Sequence, residues 1–195
     1  MNFLEEKILS DATIKEGNIL KIDNFLNHQI DIDIIRQIAY EIKRRFKGKE
    51  VTKILTIESS GIAIATLLGE IYDAPVVFAK KGETANSTDD KYISQAYSFT
   101  HKRHNNVFVS KPYMLAGEKV LIVDDFLADG QAMGALIDIV HQAGAEVVGL
   151  GVAVEKGQQN GGKNLRSQGY QVESVAIIDS MDYKTGQIVF RSEKR

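Results

Sequence analysis

Residues 120–132 read VLIVDDFLADGQA: four apolar residues, the acid pair Asp124 and Asp125, then a small-residue turn through Ala128, Asp129 and Gly130 to Gln131 and Ala132. A short β-branched run of this kind suits a strand buried on both faces of a parallel sheet, and the apolar spacing over residues 130–143 predicts the helix that follows. On either side, residues 53–57 (KILTI), 75–79 (PVVFA), 119–123 (KVLIV) and 147–154 (VVGLGVAV) repeat the strand pattern, and residues 61–71 supply another helix. Strand and helix alternate as right-handed βαβ units, which predicts an α/β fold with a doubly wound, mainly parallel sheet. Ligands of such sheets sit beyond the carboxyl ends of the strands. Two loops qualify, residues 58–61 (ESSG) and 124–130 (DDFLADG).

The rest of the chain bounds the function. Its 195 residues fit a single domain, with a core over about residues 50–155 and a small hood from about 1–45 and 156–195, ending in an edge strand at 187–190. Ile34, Ile35, Ile38, Ala39, Ile42 and Phe46 recur at helical spacing before a break at Gly48. There is no cysteine, no run of eighteen apolar residues and no export signal, so a soluble cytoplasmic protein without a membrane segment is expected. Asn86-Ser87-Thr88 fits the glycosylation pattern and is read as a polar loop. A net charge of −2 lacks the basic footprint of a nucleic-acid binder, so any anionic ligand must be held locally, by helix N-termini and a few lysines. The polar stretch 80–106, with a β-like centre at 93–100, is too long for an ordinary connection and reads as a flexible lid, since Tyr92, Tyr97 and Phe99 are unusual in a merely solvating segment.

The loop at 124–130 has a specific chemistry. Two carboxylates at a strand end can each accept hydrogen bonds from vicinal hydroxyls, while the turn and helix start offer N–H groups to a phosphate dianion. Together they suit the two ends of a ribose 5-phosphate. A strand leading to a helix capped by Asp129 is the simpler explanation of the Asp-Gly pair. It leaves Asp124 and Asp125 unexplained, because adjacent buried acids repel one another and lose hydration.

This run resembles the 5-phosphoribosyl 1-pyrophosphate (PRPP) motif of type I phosphoribosyltransferases, and the βαβ rhythm of about residues 50–155 is similar to their core. The resemblance implies a Mg2+-dependent transfer in which a purine or pyrimidine nitrogen displaces pyrophosphate at C1 of PRPP through a transition state of oxocarbenium character. Asp124 and Asp125 would hold the ribose hydroxyls, and Ala128, Asp129, Gly130, Gln131 and Ala132 would cradle the 5′-phosphate. Some 6-oxopurine members carry an aspartate where this chain has Ala128, which puts a general base there in doubt. Ser59, Ser60 and Gly61 stand where the family has its pyrophosphate loop; a Ser at a helix start is also an ordinary cap. Lys80 and Lys81 resemble basic residues that some members donate to pyrophosphate across a homodimer interface, or are a solvated pair. The metal is expected on the substrate phosphates and not in a protein cage, and His101 and His104 alone make a poor ligand set.

The stretches beginning at Leu20, Thr56, Tyr97, Asp124 and Glu155 are similar to the branch of that family whose acceptor is xanthine, over essentially the full length. That likeness implies Leu20 on the purine plane, Asn27 on a base carbonyl and Lys156 donating to the 6-oxo oxygen. Lysine only donates, which disfavours the amino group of adenine. Tyr97 and Ser98 would meet pyrophosphate from a lid that excludes water. The substrates implied are xanthine and PRPP; another purine acceptor, or a PRPP-sensing regulator without catalysis, are the alternatives. A regulator would need a DNA-binding appendage or basic patch that the acidic chain does not supply.

Overall fold

The computed structural model describes residues 1–82, 90–98 and 103–192, without the side chains at 97, 98 and 103–105. The N-terminal helix α1 (Phe3–Asp11) is capped reciprocally: the Asn2 side chain accepts from the N–H of Leu4 and of Glu5, and the Glu5 carboxylate accepts from the Asn2 N–H at 2.9 Å. A hairpin of β1 (Thr13–Lys15) and β2 (Ile19–Lys21) and a π-helical turn, Asp23–Asn27, lead to α2 (Ile32–Arg45). Asp31 caps α2, and its Ile34, Ile35, Ile38, Ala39 and Ile42 form the buried stripe that the spacing predicts.

The central sheet then forms from β3 (Lys53–Ile57), α3 (Gly61–Tyr72), β4 (Val76–Lys81), the antiparallel hairpin β5 (Lys91–Ser98) and β6 (Arg103–Ser110), β7 (Lys119–Leu127), α4 (Gln131–Gln142), β8 (Glu146–Lys156), α5 (Gly161–Ser167), β9 (Val172–Met181) and β10 (Ile188–Phe190). Its eight strands lie in the order β10-β9-β8-β7-β3-β4-β6-β5. β4, β3, β7, β8 and β9 run parallel, with Ile54 opposite Val76 on one side and Leu121 on the other. The chain leaves β3 toward β4 and then returns to the other side of β3 as β7. That reversal opens a crevice between the carboxyl ends of β3 and β7, the ends that carry ESSG and DDFLADG.

Two apolar layers cover the sheet. One gathers α2, α3 and N-terminal residues including Leu20 and Leu26; the other gathers α4 with Val107 and Val109 of the hairpin. The N-terminal segment and the tail meet, Asn2 Nδ2 donating to Val175 O at 2.7 Å and Tyr183 N–H to Asn18 Oδ1 at 3.1 Å.

Three elements differ from the sequence expectation. β7 continues through both acids to Leu127, because Asp124 and Phe126 keep ladder partners in Val152 and Val154. β8 likewise ends on Lys156. β9 is a fifth parallel strand that the apolar pattern did not announce, since Glu173, Ser174 and Asp179 interrupt it. Among the described residues no helix is long and apolar enough to cross a membrane. Asn86-Ser87-Thr88, Phe99, Thr100, His101 and the side chains of Tyr97, Ser98 and His104 lie outside the described residues, so the expected lid contacts do too.

Candidate active site

The two loops touch. Gly61 opens α3 with no room for a side chain: a methyl there would overlap Thr56 Oγ1 and lie 3.0 Å from Asp124 Oδ1. The end of β3, the start of α3 and the first acid of β7 are thus packed against one another. Thr56 is fully buried, and its hydroxyl oxygen has no hydrogen-bond partner among the described residues. Asp124 is only 7% exposed. Burial first, then the neighbouring charge of Asp125, pushes its carboxyl well above the usual range; the Asp125 N–H, which donates to Oδ1 at 2.9 Å, and the charge of Lys81 work in the opposite sense.

Around this contact the expected pyrophosphate loop is built from backbone. Ser60 sits at the N-cap of α3 yet its side chain makes no capping bond, so the ordinary explanation of that serine does not hold here. The Ser59 carbonyl accepts from Ile62 N–H at 3.2 Å, and the Glu58–Ser59 peptide is cis. Glu58 is fastened to β4 at both ends, its N–H donating to Ala79 O at 3.0 Å and its carboxylate accepting from Lys81 N–H at 2.7 Å. Successive strand residues face opposite sides, which separates the two lysines. Lys81 acts on Asp124, whereas Lys80 lines a cavity of about 340 Å3 with Phe78, Phe108 and Tyr113.

The second loop wraps the start of α4. Gly130 takes φ +88°, open to glycine and costly for other residues, and its carbonyl accepts from Gly134 N–H at 2.8 Å. Gly130 is the N-cap of α4, and Asp129, one residue before it, accepts from Gln131 N–H at 3.0 Å, so that acid meets the helix start without being its cap. A helix start leaves its first N–H groups without an acceptor inside the helix, and at α4 Asp129 takes the first of them. Ala128 carries no titratable group, and its carbonyl accepts from Gly161 N–H at 3.2 Å.

The three candidates for the base come from three elements: Leu20 from β2, Asn27 from the π-helical turn and Lys156 from β8. Lys156 closes β8 with its ammonium 5.5 Å from the centroid of the Phe126 ring, a cation–π contact. Phe126 packs on the apolar cluster that includes Leu20 and Leu26. Asn27, beside Leu26 at the end of the π-helical turn, has a buried Oδ1 with no partner among the described residues. An unsatisfied buried acceptor is the mark of a group that a ligand completes. Sequence reading missed Phe126, although it stands between the acid pair and Ala128, and Thr56, whose role depends on packing against Gly61.

The model of the phosphoribosyl transferase domain matches residues 21–184. The chain belongs to the phosphoribosyltransferase family. It is 47% identical over 194 residues, all of both chains, to the xanthine phosphoribosyltransferase of Lachnoclostridium phytofermentans. It is 52% identical to xanthine phosphoribosyltransferase 2 of Clostridium botulinum over 183 residues, 93% of this chain and 96% of that one. Among solved structures, adenine phosphoribosyltransferases of Rhodothermus marinus and Thermoanaerobacter pseudethanolicus align at TM-scores of 0.72 and 0.74, with 22% and 21% identity, over 89% of this chain and 97% and 98% of theirs. At that identity the structures speak for the fold, the one this family uses.

Proposed function

We propose that this chain transfers the 5-phosphoribosyl group of PRPP to xanthine, releasing pyrophosphate and xanthosine 5′-monophosphate, a purine salvage reaction. One observation carries the reading: an acid pair and phosphate-type helix start stand at one strand end beside an aromatic ring and a lysine at the next, in a chain about half identical over its whole length to xanthine phosphoribosyltransferases.

In this reading Asp124 and Asp125 accept hydrogen bonds from the ribose hydroxyls, and residues 128–132 hold the 5′-phosphate by backbone N–H groups. Ser59, Ser60 and Gly61 at the start of α3, with Lys81, receive the pyrophosphate. A purine nitrogen that has given up its proton to water forms its bond to C1 as the bond from C1 to the pyrophosphate oxygen breaks, and the charge that builds on the leaving group meets the α3 N-terminus. Tyr97 and Ser98 would close on it from β5. No carboxylate stands at 128, so rate comes from positioning and from electrostatic support of the leaving group. Leu20 and Phe126 flank the base, Asn27 meets its 2-oxo edge with the unpaired Oδ1 accepting from a ring N–H and the amide N–H donating to the carbonyl, and Lys156 donates to the 6-oxo oxygen.

Mg2+ on the diphosphate oxygens would neutralise the leaving charge. The residues suit an ion brought with the substrate: Asp124 and Asp125 are hard oxygen donors at the ribose end, the kind Mg2+ takes alongside substrate phosphates. The chain acts as a single unit, and in the cytoplasm, because PRPP is a multiply charged phosphate that does not cross membranes unaided. It works as a homodimer: Phe78, 42% exposed, and Tyr113, 63% exposed, form an apolar face with Lys80. Replacing Phe78 by Asp should convert a dimer to a monomer in sedimentation.

The direct test supplies Mg2+, PRPP and xanthine and follows xanthosine 5′-monophosphate and pyrophosphate, which should appear one for one. Absence of both under saturating substrates would overturn the proposal.

A further inference from the structure

Nothing in the proposed reaction uses α5, yet this short helix is clamped between the two ends of the site. At its start, a methyl on Gly161 would lie 2.6 Å from Gly130 N and 2.7 Å from Asp129 C, and would overlap the Ala128 carbonyl that Gly161 N–H already binds. The helix therefore rests directly on the loop assigned to the 5′-phosphate. Its other attachment is to Glu155, the residue before Lys156. Glu155 is 2% exposed, and the two terminal guanidinium nitrogens of Arg166 donate to its carboxylate, at 2.8 and 2.7 Å; Ser174 Oγ donates to it as well. Arg166 also donates to Val172 O at 3.1 Å. A methyl on Gly162 would lie 2.6 Å from Glu155 Cδ, so α5 is seated against the carboxylate itself. The connection from β8 is closed by Gln159 N–H on Lys156 O at 2.9 Å and Gly157 N–H on Ile178 O at 2.7 Å.

A buried carboxylate is an inefficient way to gain stability, since loss of hydration cancels much of the attraction. A two-pronged arginine contact does fix distance and orientation together. We propose that α5 is a brace for the reaction: Gly161 sets the position of the 5′-phosphate loop, the Arg166–Glu155 pair sets the strand end that carries Lys156, and the rigid helix between them holds the phosphate and base sites at the separation of one nucleotide. Arg166, Glu155 and Gly161 are positioning residues that touch neither substrate. The proposal rests on the assignment of residues 128–132 and Lys156 given above.

The experiment measures kcat, the KM of PRPP and the KM of the base for Gly161→Ala, Arg166→Met, Arg166→Lys and the double variant Gly161→Ala/Arg166→Met. Loss of folded protein lowers apparent kcat and leaves KM unmoved, so KM separates positioning from general stability. A brace transmits: each single variant raises both KM values by about fivefold or more, Arg166→Lys falls between wild type and Arg166→Met, and the double variant is milder than the product of the two singles. Purely local effects would overturn it, with Gly161→Ala moving only the PRPP value and Arg166→Met only the base value; so would unchanged KM values with only kcat or melting temperature altered. If Arg166→Met does not fold, Glu155→Gln is read in its place, with the same two outcomes. The base used is whichever of xanthine, guanine, hypoxanthine or adenine the wild type accepts. Should the wild type transfer none, the proposed function fails on its own. The brace is then judged by calorimetric titration of wild type and Gly161→Ala with Mg2+ and PRPP and, separately, with xanthine; unchanged affinity for xanthine would overturn it.

Discussion

Gly61→Ala tests the contact on which the site is built. The residue has ordinary helical backbone, so alanine adds no torsional strain and should bring about 0.5–1 kcal/mol of helix propensity. Against that, the new methyl would overlap Thr56 Oγ1 and lie 3.0 Å from Asp124 Oδ1, where carbon contacts are comfortable at about 3.5 Å or more. Neither neighbour can retreat, Thr56 being fully buried and Asp124 nearly so. Overlap this deep belongs to the upper part of the usual overpacking range, about 2–3 kcal/mol, which leaves a net loss of about 1–2.5 kcal/mol after the propensity gain. At about 2–4 °C per kcal/mol for a chain of this size, melting should fall by about 2–10 °C. Displacing the α3 start from Asp124 by about an ångström should lower kcat/KM for PRPP by about a hundredfold. Thr56→Ala in the same chain removes the oxygen that collides and should recover most of the melting temperature; Thr56→Val, which keeps an atom there, should not. Differential scanning calorimetry and initial rates at varied PRPP read both effects. If Gly61→Ala melted and turned over like the wild type, the packing of α3 on Asp124 would be wrong.

Lys156→Ala should lower kcat/KM for xanthine by about a hundredfold while the KM of PRPP stays within about twofold, and equal losses for both substrates would contradict its role. Asn27→Ala deletes an acceptor that the protein itself leaves unpaired, so melting should shift by no more than about 2 °C while the KM of the base rises about tenfold; a large drop in melting with an unchanged KM would reverse the assignment. Asp124 titrates above the ordinary carboxylate range because it is buried beside Asp125. A raised folded pKa means that its contribution to stability is full below the unfolded value of about 4 and is lost as pH rises through the folded value. Asp124→Asn should therefore melt higher than wild type at pH 7, by about 2 °C or more, with the gap closing toward pH 4, and should lose transfer activity. A gap that widened on acidification would refute the sign.

What could be read from the sequence follows from what periodicity encodes. The parallel strands and their helices are local apolar patterns, and VLIVDDFLADGQA places a charge pair where no core would keep one without use. β9 was hidden because Glu173, Ser174 and Asp179 break its pattern, and the reason for two of those polar residues appears only in three dimensions: Ser174 donates to Glu155, and Asp179 pairs with Arg191 at 2.6 Å. Lys80 and Lys81 look equivalent in a row and are sent to opposite faces by the strand. Phe126 lay in plain view inside the motif, but nothing in its identity says that Lys156, thirty residues on, will meet its ring. Arg166 gave no signal at all, because its value depends on a buried carboxylate eleven positions away.

The central claim, that the acid-pair loop performs phosphoribosyl transfer and that Lys156 and Asn27 direct it to an oxopurine, is tested most directly by one set of rates. With Mg2+ and PRPP fixed, kcat/KM is measured for xanthine, guanine, hypoxanthine and adenine. The account predicts xanthine first and adenine last, separated by about a hundredfold or more. Adenine equal to or faster than xanthine would contradict it.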